Sequence, residues 1–296
     1  TEMSSILDTL KNLIPSNPIA AFADGNMLQV LVFALIIGFT LIAVGEKGTP
    51  FLNLIDSINE VCLKIITTIM YFTPIGVFCT IVPVVEANGT ETIISLATQL
   101  VILYVAFFGF AIVVYGLSVK LIGKQSPLKF LKAILPAALN AFGTCSSSAT
   151  IPLSKQCMEE EMGVSNQITS IAIPLGATVN MDGTSIMQGV AVIFVAQIFG
   201  ITLSPSDLVT VIITATLASI GTSGVPSVGL ITLAMVFQSV GVPTEGIALI
   251  MGIDRILDML RTAVNITGDA VCTTIVANQE GLVNKETFNS DVTVDN

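Results

Sequence analysis

The chain has no histidine, and only two of its 296 residues are arginine, Arg255 and Arg261. The lack of histidine removes the usual general base, most proton relays and the commonest metal ligand. Charge is scarce too: 11% of residues are Asp, Glu, Lys or Arg, against about 25% in soluble domains. Five cysteines, Cys62, Cys79, Cys145, Cys157 and Cys272, form no CxxC pair, so they read as small buried residues rather than a metal or disulfide framework. No secretory signal pattern opens the sequence. The net charge of −10 sits mostly in loops and tails, which argues against a nucleic-acid partner.

What is abundant is apolar sequence, 53% of the chain. Uncharged runs long enough to cross a bilayer are Met27–Val44, Ile65–Val85, Thr92–Val119, Met162–Met181, Gly183–Ser206 and Leu208–Thr244. Residues 1–26 read as a loop or interfacial segment, and a span over 51–85 is expected to bend at Pro74 and Pro83. Glu86–Glu91 reads as an acidic turn; its Asn88-Gly-Thr90 sequon carries no weight. The helix from Thr92 leads into the densest basic cluster, Lys120, Lys124, Lys129 and Lys132, which the positive-inside rule places in the cytoplasm.

Two stretches do not fit simple spans. Gly143-Thr-Cys-Ser-Ser-Ser-Ala-Thr150 is rich in small and hydroxylated residues, poorly suited to a continuous helix, and Lys132 and Lys155 flank the segment around it. The pattern predicts a re-entrant hairpin. Leu208–Thr244 is too long for one span and too short for two, and its middle, Ser219–Gly229, breaks helices. It predicts a second hairpin. Non-helical backbone at membrane depth survives only against protein or water, so a site is expected between the tips. Each hairpin precedes a helix with a polar patch, Asn180-Met-Asp-Gly-Thr184 and Asn265-Ile-Thr-Gly-Asp269. Repeats with interrupted segments in matching positions point to a secondary transporter. Packing of small residues between helices explains the glycines and serines, but not aspartates and an arginine at the same depth.

Asp182 is the only charge in the 45 residues between Glu161 and Asp207. In the last apolar segment Asp254, Asp258, Arg261, Asn265 and Asp269 fall within about 80° of one helix face. A charge at bilayer depth costs about 2.5–3.5 kcal/mol even on the lenient insertion scale. Arg261 suits a carboxylate held bidentately, and Asp258 a substrate ammonium. The alternative is an Asp258–Arg261 pair within the helix. The four aspartates outnumber Arg255 and Arg261, so protons or metal cations must offset the remainder. Oxygen donors without His or Cys favour a hard cation. Sodium is the expected coupling ion, protonated aspartates the alternative, and no organic cofactor is implied.

Ser146-Ser-Ser148, Asn180-Met-Asp-Gly-Thr184, Ser219-Ile-Gly-Thr-Ser-Gly-Val-Pro226 and Asp258-Met-Leu-Arg-Thr-Ala-Val-Asn-Ile-Thr-Gly-Asp269 together resemble the dicarboxylate/amino acid:cation symporter family, the glutamate and aspartate transporters. The likeness runs from about residue 14 to 281, and an inverted repeat is a known property of that family. It implies an all-α polytopic protein of the cell (inner) membrane, with transmembrane helices plus two re-entrant helical hairpins in an inverted repeat. Residues 27–91 would be scaffold-type helices. Residues 92–281 would form the transport domain: helix 92–124, hairpin 127–161, broken helix 162–200, hairpin 205–243 and last helix 244–281, with a polar tail, 282–296, after it. The implied activity is sodium-coupled symport of glutamate or aspartate by an elevator mechanism, in a homotrimer within the lipid bilayer.

The resemblance also implies residue roles. Ser147, Thr184, Val225 and Gly229 would line the substrate pocket. Asp258 would take the amino group, Arg261 the side-chain carboxylate, and Thr262 and Asn265 the main carboxylate. One sodium site would use Gly176, Asn180, Asn265 and Asp269, a second Thr178, Ser219, Ile220 and Thr222, and a third Asn180 and Asp182. The second hairpin would be the extracellular gate. Two departures stand out. Family members usually begin with three further spans, so a truncated transporter is expected. Cys145 stands where many prokaryotic relatives carry an arginine, and Arg255 is expected to supply that charge. Rival readings are proton coupling, a C4-dicarboxylate or neutral amino acid cargo, a channel, and an intramembrane aspartyl protease using Asp182 and Asp269.

Overall fold

The computed structural model describes residues 14–23, 27–70, 72, 75, 78–79, 82, 86, 90–220, 222, 224 and 226–284. Val225, the bends expected at Pro74 and Pro83, Asn88 and Gly89 of the sequon and most of the polar tail lie outside the described residues. The described residues are helical almost throughout, with a single isolated bridge between Val164 and Val283. The chain divides into two units, Thr1–Val77 and Phe78–Asn296. In the first, α1 (Pro18–Ala23) packs on α2 (Met27–Val44), and a 3-10 turn at Gly45–Gly48 leads to α3 (Thr49–Met70).

The second unit opens with α4 (Thr90–Phe110), a π turn (Ala111–Tyr115) and α5 (Gly116–Leu121). Next come two helix–turn–helix pairs, each ahead of an interrupted helix. In the first pair, α6 (Pro127–Thr144) takes its start from Pro127, whose missing N–H is no loss at a helix N-terminus. It ends where Cys145 adopts a left-handed conformation, φ 53°. Ser146 then caps α7 (Ser147–Gln156) by accepting a hydrogen bond from Ala149 N at 3.2 Å. Only Cys145 and Ser146 leave the helix; Gly143 and Thr144, weak helix formers by composition, stay in its last turn with their surfaces exposed.

A second π turn, Cys157–Glu161, leads to α8 (Asn166–Val179), and α9 (Asp182–Ile198) continues it after a break at Asn180 and Met181. The second pair is α10 (Pro205–Ile220) and α11 (Val228–Ser239). The last segment is interrupted, which its spacing did not predict. A 3-10 turn (Thr244–Gly246) and α12 (Ile247–Met251) precede α13 (Asp254–Gln279), with Gly252 and Ile253 between. Helix α13 is the axis of this unit: α6, α7, α8 and α9 all pack on it, and residues 260–271 are buried without exception. A helix enclosed on all sides is usually apolar. This one carries the polar residues.

Among the described residues three helical stretches are long and apolar enough to cross a membrane: Val32–Cys62, Ile94–Leu121 and Asn166–Ile198. Val101, Ile102, Val105, Phe108 and Ile112 stand exposed along α4 and its π turn. A contiguous apolar surface of that kind suits hydrocarbon rather than water.

Candidate functional site

The site is built around α13, because that helix alone presents polar groups to both helix pairs and to the α8–α9 break. Near its start, Arg261 Nη2 lies 2.7 Å from Asp258 Oδ1, and Nη1 lies 3.9 Å from Asp254 Oδ1. The i, i+3 pairing weighed from the sequence is therefore present. Asp258 is more than Arg261's partner. Its Oδ1 also accepts from Thr262 Oγ1 at 2.9 Å, and its Oδ2 from the backbone N–H of Ser227 at 2.8 Å, at the tip between α10 and α11. The guanidinium lies against bare backbone: a Cβ at Gly229 would stand 2.1 Å from Nη1. The same Nη1 lies 3.1 Å from Met187 Sδ.

One turn further on, Asn265 joins α13 to α9. Its Oδ1 accepts from Gly183 N at 2.8 Å, and its Nδ2 reaches Met181 Sδ at 3.1 Å and Thr184 Oγ1 at 3.3 Å. Gly183 sits so close that a Cβ would be 2.6 Å from the Arg261 carbonyl. Beyond it, Asp269 Oδ1 accepts from Asn180 Nδ2 at 2.9 Å, and a Cβ at Gly176 would be 2.5 Å from the same oxygen. Asn180 Nδ2 is also 3.4 Å from the Asn265 carbonyl. The break at Asn180 and Met181 is thus filled by side chains of α13, and both glycines are needed for the approach.

The two tips meet. Ser146 Oγ donates to the Gly224 carbonyl at 2.8 Å, and Ser148 N to the same oxygen at 3.2 Å. A Cβ on Gly224 would lie 3.0 Å from the Ala177 carbonyl near the end of α8. Ser147 is buried between the two serines that make this contact. Ser219 and Thr222 are buried in the second pair, where they bond the carbonyls of Thr216 and Ala218.

The structure gathers Thr184, Gly229, Asp258, Arg261, Thr262 and Asn265 in one region, and Gly176, Asn180, Asn265 and Asp269 in the adjoining one. Thr178 and Ile220 stand apart from these contacts, and Asp182 lies at their edge. Thr178 is exposed, its hydroxyl turned back to the Leu175 carbonyl at 2.9 Å, and Ile220 is exposed at the end of α10. Asp182 is half-buried and bonds Tyr115 Oη at 2.7 Å. Tyr115, on the α4 side, has no sequence signal that marks it. Arg255 is exposed, and its Nη2 reaches the Gly143 carbonyl at 3.3 Å beside the first tip. With Arg255 outside, one buried guanidinium faces three fully buried carboxylates, Asp254, Asp258 and Asp269.

The model of the sodium:dicarboxylate symporter family matches residues 1–279. The chain is 36% identical over 298 residues to excitatory amino acid transporter 1 of Homo sapiens, covering 99% of this chain and 54% of that protein. It is 38% identical over 253 residues to an excitatory amino acid transporter of Caenorhabditis elegans, 85% of this chain and 50% of the relative. A proton/sodium-glutamate symport protein of Bacillus caldotenax is 35% identical over 282 residues, 95% of this chain and 66% of the relative. The chain thus spans about half to two thirds of the length of these curated relatives. The family is one of multi-pass membrane carriers, not enzymes, and the helical architecture agrees with it. Fold, polar axis and sequence similarity meet in one statement: this chain belongs to the sodium:dicarboxylate symporter family.

Proposed function

We propose that the protein carries acidic amino acids, glutamate or aspartate, across a cell membrane together with sodium. The observation behind this reading is the charge imbalance of α13: three buried carboxylates with one buried guanidinium among them. A buried charge without a partner is strongly destabilising, so the enclosed site must gain positive charge, and bound sodium supplies it. Arg261 is aligned to clamp the substrate's side-chain carboxylate once Asp258 turns to the ammonium, and Thr262 and Asn265 take the main carboxylate. Ser147, Thr184 and Gly229 line the same pocket, and Val225, outside the described residues, is assigned to it by the family resemblance.

One of the sodium sites occupies the adjoining cluster. Gly176, Asn180, Asn265 and Asp269 frame one, Thr178, Ser219, Ile220 and Thr222 a second, and Asn180 with Asp182 a third. Hard oxygen donors, several of them backbone carbonyls freed at helix breaks, suit an alkali cation. Residues 92–281 act as the moving transport domain, with the second helix pair as the gate, and residues 27–91 belong to the scaffold of a homotrimer.

Binding of L-aspartate, L-glutamate and succinate to the full-length protein, with sodium varied against potassium and pH, tests this. Sodium-dependent binding of an acidic amino acid, lost in Arg261→Ala and in Asp269→Asn, is the expected result. Equal binding without sodium at low pH replaces sodium by protons as the compensating charge. Succinate bound in preference to both amino acids removes the ammonium role of Asp258.

A further inference from the structure

Tyr115 carries a hydroxyl into the site from a helix that the polar motifs do not include. Its Oη donates to Asp182 Oδ2 at 2.7 Å and lies 3.2 Å from the Val264 carbonyl of α13. The residue is buried, at the end of the π turn Ala111–Tyr115. A π turn inserts one residue into the helical repeat and so re-aims the side chains after it, a device found often at functional sites. The ring is fixed by Phe110, edge to face at 5.0 Å and 75°.

The floor of this junction is Gly268 on α13. A Cβ there would stand 2.5 Å from Tyr115 Oη, 2.5 Å from Asn180 Nδ2 and 3.0 Å from Asp182 Oδ2. Three polar groups from the π turn, the helix break and the start of α9 therefore collect over one bare glycine. Asn180 extends the contact to Asp269 at 2.9 Å.

We propose that Tyr115 is a positioning residue for a cation site framed by Asn180 and Asp182: its hydroxyl holds Asp182 Oδ2 and leaves Oδ1 to meet the ion. The inference rests on the sodium-coupled reading above. A hydrogen bond to a charged acceptor is stronger than a neutral one and fixes its direction, so the phenol pre-sets the carboxylate before the ion arrives. Gly268 makes this possible by leaving room for both groups.

Tyr115→Phe in the full-length protein removes the hydroxyl and keeps the ring. The half-saturating sodium concentration for aspartate binding is expected to rise about tenfold, while aspartate affinity at saturating sodium stays within about twofold. Sodium-induced thermal stabilisation of the substrate-free protein is expected to weaken in parallel. In an Asp182→Asn background the same substitution is expected to add little, because the two groups act as one unit. An unchanged sodium dependence overturns the proposal, and so does an affinity loss that saturating sodium fails to restore, which marks a structural role alone. A wild-type protein without sodium dependence overturns the coupling reading and this inference together, and that failure shows before any variant is made.

Discussion

The two helix pairs share a plan and differ in how they are held. Each begins with Ser-Pro, Ser126-Pro127 and Ser204-Pro205, and each turns through a left-handed non-glycine residue, Cys145 at φ 53° and Ser227 at φ 61°. Helix α6 of the first pair makes its most extensive packing on α13 and buries Ala133, Ala137 and Ala141 at four-residue spacing, which permits close helix approach. The second pair packs mainly on itself and on α9, and its tip reaches α13 through Ser227 N on Asp258 and the Gly229 backbone beside Arg261. Where it meets α9 it shares a buried polar contact. Gln188 Nε2 donates to Thr232 Oγ1 at 2.7 Å, Thr232 lies 3.3 Å from Thr222 Oγ1, and buried Gln188 Oε1 has no protein partner. An unmatched buried acceptor costs about 1–3 kcal/mol. The first pair is assembled like a core. The second is tied at its tip to the two residues assigned to substrate, so whatever occupies Asp258 and Arg261 also changes what holds that tip.

One substitution placed in both pairs gives the largest expected contrast. Gly229→Ala puts a methyl group 2.1 Å from Arg261 Nη1. The clash falls on the far end of a long side chain, so the fold yields cheaply and the guanidinium moves. Affinity for acidic amino acids is expected to drop by at least about tenfold with little loss of melting temperature. Gly143→Ala in the first pair meets open space and replaces a helical glycine, a gain of up to about 0.5–1 kcal/mol, with binding unchanged. Isothermal titration and thermal melts of both variants check the pair. Equal affinity losses would erase the distinction between the two tips.

Much of this arrangement was legible in the chain. The small residues at both tips and the isolated aspartate after Asn180 mark where helices break, because helix-breaking is a local effect. The spacing of Asp254, Asp258, Arg261, Asn265 and Asp269 identifies one functional helix face. What stayed hidden is contact over long separation. Ser227 and Asp258 are 31 residues apart, and Tyr115 and Asp182 are 67 apart. Neither contact has a periodicity, and a π turn leaves no signature in a 3.6-residue pattern. The expected placement of Arg255 by the first tip agrees with its reach to the Gly143 carbonyl, 112 residues away, while its exposure, which takes it out of the buried charge count, had no signal in the spacing.

Asp258→Asn sharpens the comparison from the tip itself. The amide keeps an acceptor for Ser227 N but loses the charge that strengthens the bond. Amide hydrogen exchange around residues 227–230, measured by mass spectrometry without substrate, is expected to quicken about fivefold to tenfold. Exchange at Cys145 and Ala149 in the first tip is expected to stay as in the wild type, since those amides bond Ala141 and Ser146 of their own pair. Equal acceleration at both tips would mean that they open as one unit, and the tie to α13 would not be what separates them.

The smallest effect lies at the far ends of the same pairs. Ser204 and Asp207 cap each other: Ser204 N and Oγ donate to Asp207 Oδ2 at 2.8 and 2.7 Å, and Asp207 N donates back to Ser204 Oγ at 3.3 Å. That is a reciprocal capping box with Asp at its third helical position. Ser126 makes no side-chain cap in front of α6. Ser204→Ala is expected to cost about 1 kcal/mol, seen as a fall of about 2 °C in the apparent melting temperature, whereas Ser126→Ala leaves it within error. The second pair thus depends on local polar bonds at its entrance as well as its tip, whereas the first has such bonds at its tip alone. Matching losses from the two serine variants would show that the shared Ser-Pro start, rather than the acid three residues on, sets how firmly each pair begins.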